Sequence, residues 1–83
     1  DLQAMIDQTY GMFTKRLYAL FPQISEQELR ICLLLKISIS ATGIANLTLR
    51  SKQAVTSSRK KLYEKTHGQQ GGPEKWDQFI QAF

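Results

Sequence analysis

Residues 40–62 read SATGIANLTLRSKQAVTSSRKKL, and this stretch decides the fold. Ser40 is a residue type that caps a helix, since its hydroxyl can accept one of the first backbone N–H groups. A short helix is expected over residues 41–47, followed by a turn at Thr48, Leu49 and Arg50. Ser51 caps a second helix running to about Thr66, with Ala54, Val55, Ser58 and Leu62 as its inward line. Two helices that cross steeply touch where a small residue permits close approach. Ala45 supplies that small residue, and Val55 and Leu62 close the core from the second helix. The second helix is then held against the body on one side and left free on the other.

Working outward, Ser25 and Glu28 have capping-box spacing, hydroxyl to the Glu28 N–H and carboxylate back to the Ser25 N–H. Leu29, Cys32, Leu33 and Lys36 follow at helical steps, and Ile31, Leu34 and Leu35 widen the apolar face. This helix is expected to be the most buried and to end near Ile37. The alternation Ile37, Ser38, Ile39, Ser40 is too short for an isolated strand and reads as a link. Further upstream, Leu2, Met5, Ile6, Thr9, Phe13, Leu17 and Leu20 recur at steps of three and four. That spacing predicts one amphipathic helix over residues 2–20, stopped by Pro22. Downstream, HGQQGG at residues 67–72 is a break, and Pro73 suits the first turn of a last helix. Trp76, Phe79, Ile80 and Phe83 form one stripe on it, expected to close the core. The fold class expected is all-α, a small bundle of about five helices containing a helix-turn-helix between Glu28 and Lys65. One domain covers residues 1–83: a flanking helix at 1–23, the helix-turn-helix core at 25–66 and a packing helix at 73–83.

The charge is concentrated. The chain of 83 residues carries a net +4. Residues 1–49 hold four cations and four anions, whereas residues 50–65 hold six cations against Glu64 alone, a local +5. Residues 66–83 contribute −1 through Lys75, Glu74 and Asp77. A patch of this kind suits a polyanion better than the same charge scattered over the surface.

Several function classes are disfavoured. The longest apolar stretch, Ile31 to Leu35, ends at Lys36, far short of the roughly 18 residues a membrane span needs, and there is no signal-peptide pattern. Cys32 is the only cysteine. It reads as a buried small hydrophobe in a reducing, cytoplasmic setting. The chain opens on Asp1 and not Met, which suggests a piece of a longer protein. The only histidine, His67, falls in the glycine-rich break, distant in sequence from Cys32, so no catalytic pair is expected. Carboxylates are too scattered for a metal site, and no glycine-rich phosphate loop follows a strand. No enzyme activity, cofactor, metal or small-molecule ligand is expected.

Stepping 100° per residue from Val55 puts Gln53, Thr56, Ser57 and Lys60 on the outward side near the helix start. Gln can bond adenine through two hydrogen bonds, Lys can reach guanine, and Ser or Thr can bond either. These four are the expected DNA base contacts. Lys52, Arg59, Lys61 and Lys65 spread around the flanks as phosphate contacts, with Ser40 and Thr42 adding hydroxyl or backbone N–H groups.

The run ISEQELRICLLLKISISATGIANLTLRSKQAVTSSRKKLYEK, about half the chain, resembles the LuxR/GerE-type helix-turn-helix domain of bacterial transcription regulators. Ile24 and Ser25 stand for that family's capped start, Glu28 for its glutamate and Ser40 for its serine. Ile44 and Ala45 match outright, Ser51 is the cap, Ala54 and Val55 replace a Thr-Val pair, and Lys65 matches a late lysine. The departures fall in and around the turn. Thr48 and Arg50 stand where the family prefers Leu and Ile, Gly43 where Glu is usual, and Ser58 where His is common. Leu47 and Leu49 are expected to supply the missing apolar contacts by a small shift in register. The resemblance implies a divergent branch found at the C-terminal end of longer sensor-regulators, with sensing done upstream.

The expectation is sequence-specific binding of double-stranded DNA as the output domain of such a regulator, with residues 51–65 in the major groove. Two rivals stay open. A sigma-factor region 4 or homeodomain-like module would share the recognition helix. A helical protein-interaction module would use its helices to dimerise, the N-terminal helix pairing with a second copy. The two classes are compatible, because DNA readers often bind paired half-sites as dimers.

Overall fold

The chain folds into six α-helices with no strand: α1 Leu2–Thr9, α2 Phe13–Leu20, α3 Glu26–Lys36, α4 Ala41–Thr48, α5 Lys52–His67 and α6 Pro73–Ala82. These assignments come from a computed structural model describing residues 1–83. α3 is the central element. Leu29 and every residue from Ile31 to Leu35 are buried, and α1, α4, α5 and α6 all pack against it. Its start is the expected capping box, with the Glu28 N–H on Ser25 Oγ at 3.1 Å and the Ser25 N–H on Glu28 Oε1 at 2.9 Å. At its end Ser38 is left-handed (φ 64°). The Ser38 N–H donates to Leu35 O at 2.9 Å and the Ile39 N–H to Leu34 O at 3.0 Å. This is a Schellman closure, and it makes residues 37–40 a link rather than a strand.

The N-terminal segment departs from the expected single helix. It breaks at Tyr10, Gly11 and Met12, giving a sixth helix. Gly11 (φ 63°) and Met12 (φ 59°) are both left-handed, a conformation glycine adopts freely and other residues do not. The Asp7 carboxylate then accepts the Thr14 N–H at 2.7 Å. Arg16 donates to the carbonyls of Gly11 (3.0 Å), Tyr10 (2.7 Å) and Phe83. The break lets Ile6, Phe13 and Leu17 all reach zero exposure, while Met5, Thr9 and Leu20 leave the core. The apolar stripe offered for pairing with a second copy is thus divided, with Ile6, Phe13 and Leu17 in the chain's own core and Met5 and Leu20 at the surface.

α6 packs on α3 and α5, and its C-terminal end at Phe83 meets Phe13 of α2 at 5.9 Å between ring centres. Gly72 is its N-cap and Pro73 lies in its first turn. Trp76 and Ile80 are fully buried, and Phe79 and Phe83 pack on the core. His67 is the last residue of α5 rather than a loop residue. It stacks on Tyr63 (4.1 Å between centroids) and meets Phe79 edge-on at 4.6 Å. The α5–α6 loop crosses the Tyr63 ring so closely that a Cβ on Gly71 would stand 2.7 Å from Cε2.

Candidate nucleic-acid interface

α4 and α5 are joined by a three-residue turn, Leu49, Arg50 and Ser51. Both helices begin on the expected serine caps: Ser40 Oγ accepts the Gly43 N–H at 3.1 Å, and Ser51 Oγ accepts the Ala54 N–H at 3.0 Å. Ile44, Ala45, Val55 and Leu62 are buried where α4 and α5 meet the core. Gly43 has a packing reason: a Cβ there would lie 2.8 Å from Ile39 Cγ2, so Ile39 occupies the space a side chain would need.

The turn is built without the apolar contacts expected of it. Leu47 and Leu49 are 59% and 93% exposed, so neither compensates for Thr48 and Arg50. Leu49 instead occupies the left-handed position (φ 56°) that closes α4. The Arg50 N–H donates to Ala45 O at 3.0 Å and the Leu49 N–H to Asn46 O at 3.4 Å, a second Schellman closure. The polar residues find local partners. The Thr48 hydroxyl donates to Ile44 O at 2.7 Å, and Arg50 Nη1 donates to Ser58 Oγ at 3.3 Å.

The buried face of α5 consists of Val55, Arg59, Leu62 and Tyr63. Ser58, expected inward, is half-buried beside Arg50. The face is rotated because α6 covers the flank carrying Arg59 and Tyr63. Arg59 is therefore corrected as a phosphate contact. It is 7% exposed, and its guanidinium pairs with the Asp77 carboxylate of α6, Nε to Oδ1 at 2.9 Å with a second bond from Nη2 to Oδ2. A two-pronged pair of this kind uses the donors a phosphate would need. In sequence the partner lies eighteen residues away, beyond any local signal.

The other site residues face outward. Gln53, Ser57 and Lys60 are exposed and Thr56 is half-buried. Lys52, Gln53, Thr56 and Ser57 line one shallow depression. Lys52, Lys61 and Lys65 are exposed, as are Ser40 and Thr42 at the start of α4. Lys65 Nζ lies 5.8 Å from the centre of the Phe21 ring. Ser40 Oγ already accepts the Gly43 N–H, so toward an incoming oxygen it acts through its own proton. With Arg59 neutralised, the positive surface of this region rests on Arg50 and four lysines, with Glu64 exposed toward the far end of α5. Arg50 belongs to the basic window but is not among the expected phosphate contacts, because its position in the turn suggests an apolar role.

Chemistry elsewhere is sparse. No group of three His, Cys, Asp or Glu side chains is placed to hold a metal ion, and no helix is long and apolar enough to cross a membrane. Burial pushes the Cys32 thiol up to about 12, only partly offset by the nearby Trp76 indole. Trp76 Nε1 has no partner at ordinary hydrogen-bond geometry, so the sulfur is at most a weak acceptor for it. Lys36 is lowered, first by desolvation and then by Arg16; its ammonium donates to Gln81 O at 3.0 Å and lies 4.9 Å from the Tyr10 ring centre. No protein-family model, curated protein or solved structure matches the chain.

Proposed function

We propose that this chain binds double-stranded DNA in a sequence-specific manner, with α5 entering the major groove. One observation carries the reading. α5 buries one face in the core and presents Gln53, Thr56, Ser57 and Lys60 on the other, flanked by Lys52, Lys61 and Lys65. Base edges are read by short polar side chains on an element that fits the major groove, while surrounding cations contact phosphates and set register. A helix carrying both sets on its free side, with its other face packed in the core, has the parts required.

On this reading the chain is the output domain of a cytoplasmic bacterial transcription regulator, a divergent relative of the LuxR/GerE type. The outright match of Ile44 and Ala45 and of Lys65, with Ile24, Ser25, Glu28, Ser40, Ser51 and Val55 at corresponding positions, supports that placement. Selection of bound duplexes from a random pool tests it. Enrichment of one consensus supports sequence-specific recognition, and a palindrome would add a dimer. Recovery of unselected sequence at every round would contradict it.

A second reading, protein interaction through the N-terminal pair, draws on Met5, Tyr10, Met12, Tyr18 and Leu20, each 38–57% exposed. It is the weaker one, because Ile6, Phe13 and Leu17 are already committed to the core.

A further inference from the structure

We propose that Arg50, in the turn before α5, is a backbone-phosphate contact that stands in the role expected of Arg59. This inference rests on the DNA-binding reading and names a further residue of that interface. The two arginines make opposite use of the same functional group. Arg59 is buried and bound through two hydrogen bonds to Asp77, the one ion pair in the molecule. Arg50 therefore has no carboxylate at ion-pair distance. The residue is half-buried, and its one hydrogen bond is a long one, 3.3 Å from Nη1 to the neutral Ser58 hydroxyl. A guanidinium has five N–H donors in a planar fork, so four remain for an acceptor outside the chain. Partial burial of a cation without an anion is unfavourable. The turn itself is closed through the backbone N–H groups of Leu49 and Arg50, so the fold does not require a guanidinium at this position.

The position suits a phosphate. The Arg50 backbone is fixed by the Schellman closure of α4 through Ala45 O, so its side chain starts from a rigid point. Its head is directed to Ser58. Ser58, Lys61 and Lys65 follow one another at helical steps along one flank of α5, and both lysines are exposed. Arg50 thereby heads a line of cations about 10 Å long by helix rise, beside the face bearing Gln53 and Ser57. A planar fork at the head of such a line recognises a phosphodiester better than a point charge does. Ser58 acts as a positioning residue, holding one nitrogen so that the remaining edge faces the groove wall.

The test uses the whole 83-residue chain. Binding to several unrelated duplexes is followed across a salt series for the unaltered chain, Arg50→Gln and Arg50→Lys, with thermal melting of each. We expect Arg50→Gln to weaken all duplexes alike and to reduce the slope of log K against log salt by about 0.9, the share of one phosphate. Arg50→Lys should keep most of the slope. Wild-type slope and affinity in Arg50→Gln would overturn the assignment while leaving DNA binding intact. No duplex binding by the unaltered chain at low salt would overturn both. Should Arg50→Gln fail to fold, the Arg Nε–H resonances of the unaltered chain decide. Duplex addition should shift Arg50 far more than Arg59. No shift at Arg50, or a shift with millimolar inorganic phosphate but none with duplex, would overturn the assignment.

Discussion

Arg59 of α5 and Asp77 of α6 form a pair whose side chains are only 9% and 23% exposed. It ties the helix with the free polar face to the helix that closes the core. Removing one partner of a buried pair leaves an uncompensated charge and costs about 3–5 kcal/mol; the partial exposure of Asp77 reduces this to roughly 2–3 kcal/mol. For a domain of this size each kcal/mol moves the midpoint by about 4–8 °C. Asp77→Ala should therefore lower Tm by about 10 °C or more. A loss of only a degree or two would mean the pair contributes little.

Leu49 sets up the opposite expectation. It is held at φ 56° in the position that closes α4, and it is 93% exposed. A left-handed conformation costs a residue bearing a Cβ about 1–2 kcal/mol, and an exposed leucine recovers almost none of that through packing. Glycine removes the strain and returns part of the gain as unfolded-chain entropy. Leu49→Gly should raise stability by roughly 0.5–1 kcal/mol, read from urea midpoints at constant m-value. A destabilised variant would show that the leucine makes contacts its exposure hides.

The caps were legible because capping is local. Ser25, Ser40 and Ser51 each accept the N–H three residues on, at 3.1, 3.1 and 3.0 Å. The stripe of Trp76, Phe79, Ile80 and Phe83 was legible for the same reason, periodicity being a property of one segment. The break at Gly11 and Met12 was not legible. Ile6, Phe13 and Leu17 keep helical spacing across it, so periodicity alone runs straight through. The contacts that stabilise the break include Arg16 on Phe83 O, 67 residues away. Arg59 failed as a surface cation for a related reason. The wheel correctly places Val55 and Leu62 inward, but only the arrival of α6 rotates the covered flank onto Arg59 and Tyr63. Within the candidate site, exposure was therefore legible wherever no other element arrives, at Gln53, Ser57, Lys60 and Lys61.

Cys32 should be chemically silent in the folded chain. Its side chain has no exposure, and burial raises the thiol from 9.0 to about 12. The reactive species is the thiolate. At pH 8 a disulfide reagent should label the native chain only through unfolding, and label it at once in denaturant. The sign of the linked stability follows from the raised value. The contribution of the neutral thiol is fully present below pH 9.0 and is lost progressively as pH rises from there toward 12. Rapid labelling under native conditions would contradict the burial.

The outward face of α5 should separate into two kinds of residue. Gln53→Ala or Lys60→Ala should relax base preference by about 1–3 kcal/mol at the affected position. Lys61→Ala should weaken all sequences alike and lower the salt slope by about 1. Arg59→Lys should leave the salt slope unchanged and lower Tm, because the guanidinium faces Asp77 and not solvent. If Gln53 and Lys61 variants behave identically across sequences, the division between base and phosphate contacts is wrong.

Duplex binding across a salt series tests the central claim most directly. With Arg50, Lys52, Lys61 and Lys65 as the phosphate-contacting cations on or beside α5, log K for mixed-sequence duplex should fall against log salt with a slope of about −3.6, near 0.9 per phosphate contacted. Non-specific Kd should lie at roughly 10⁻⁴ to 10⁻⁶ M at physiological salt. A slope near zero, or no binding to long duplex DNA even at low salt, would contradict it.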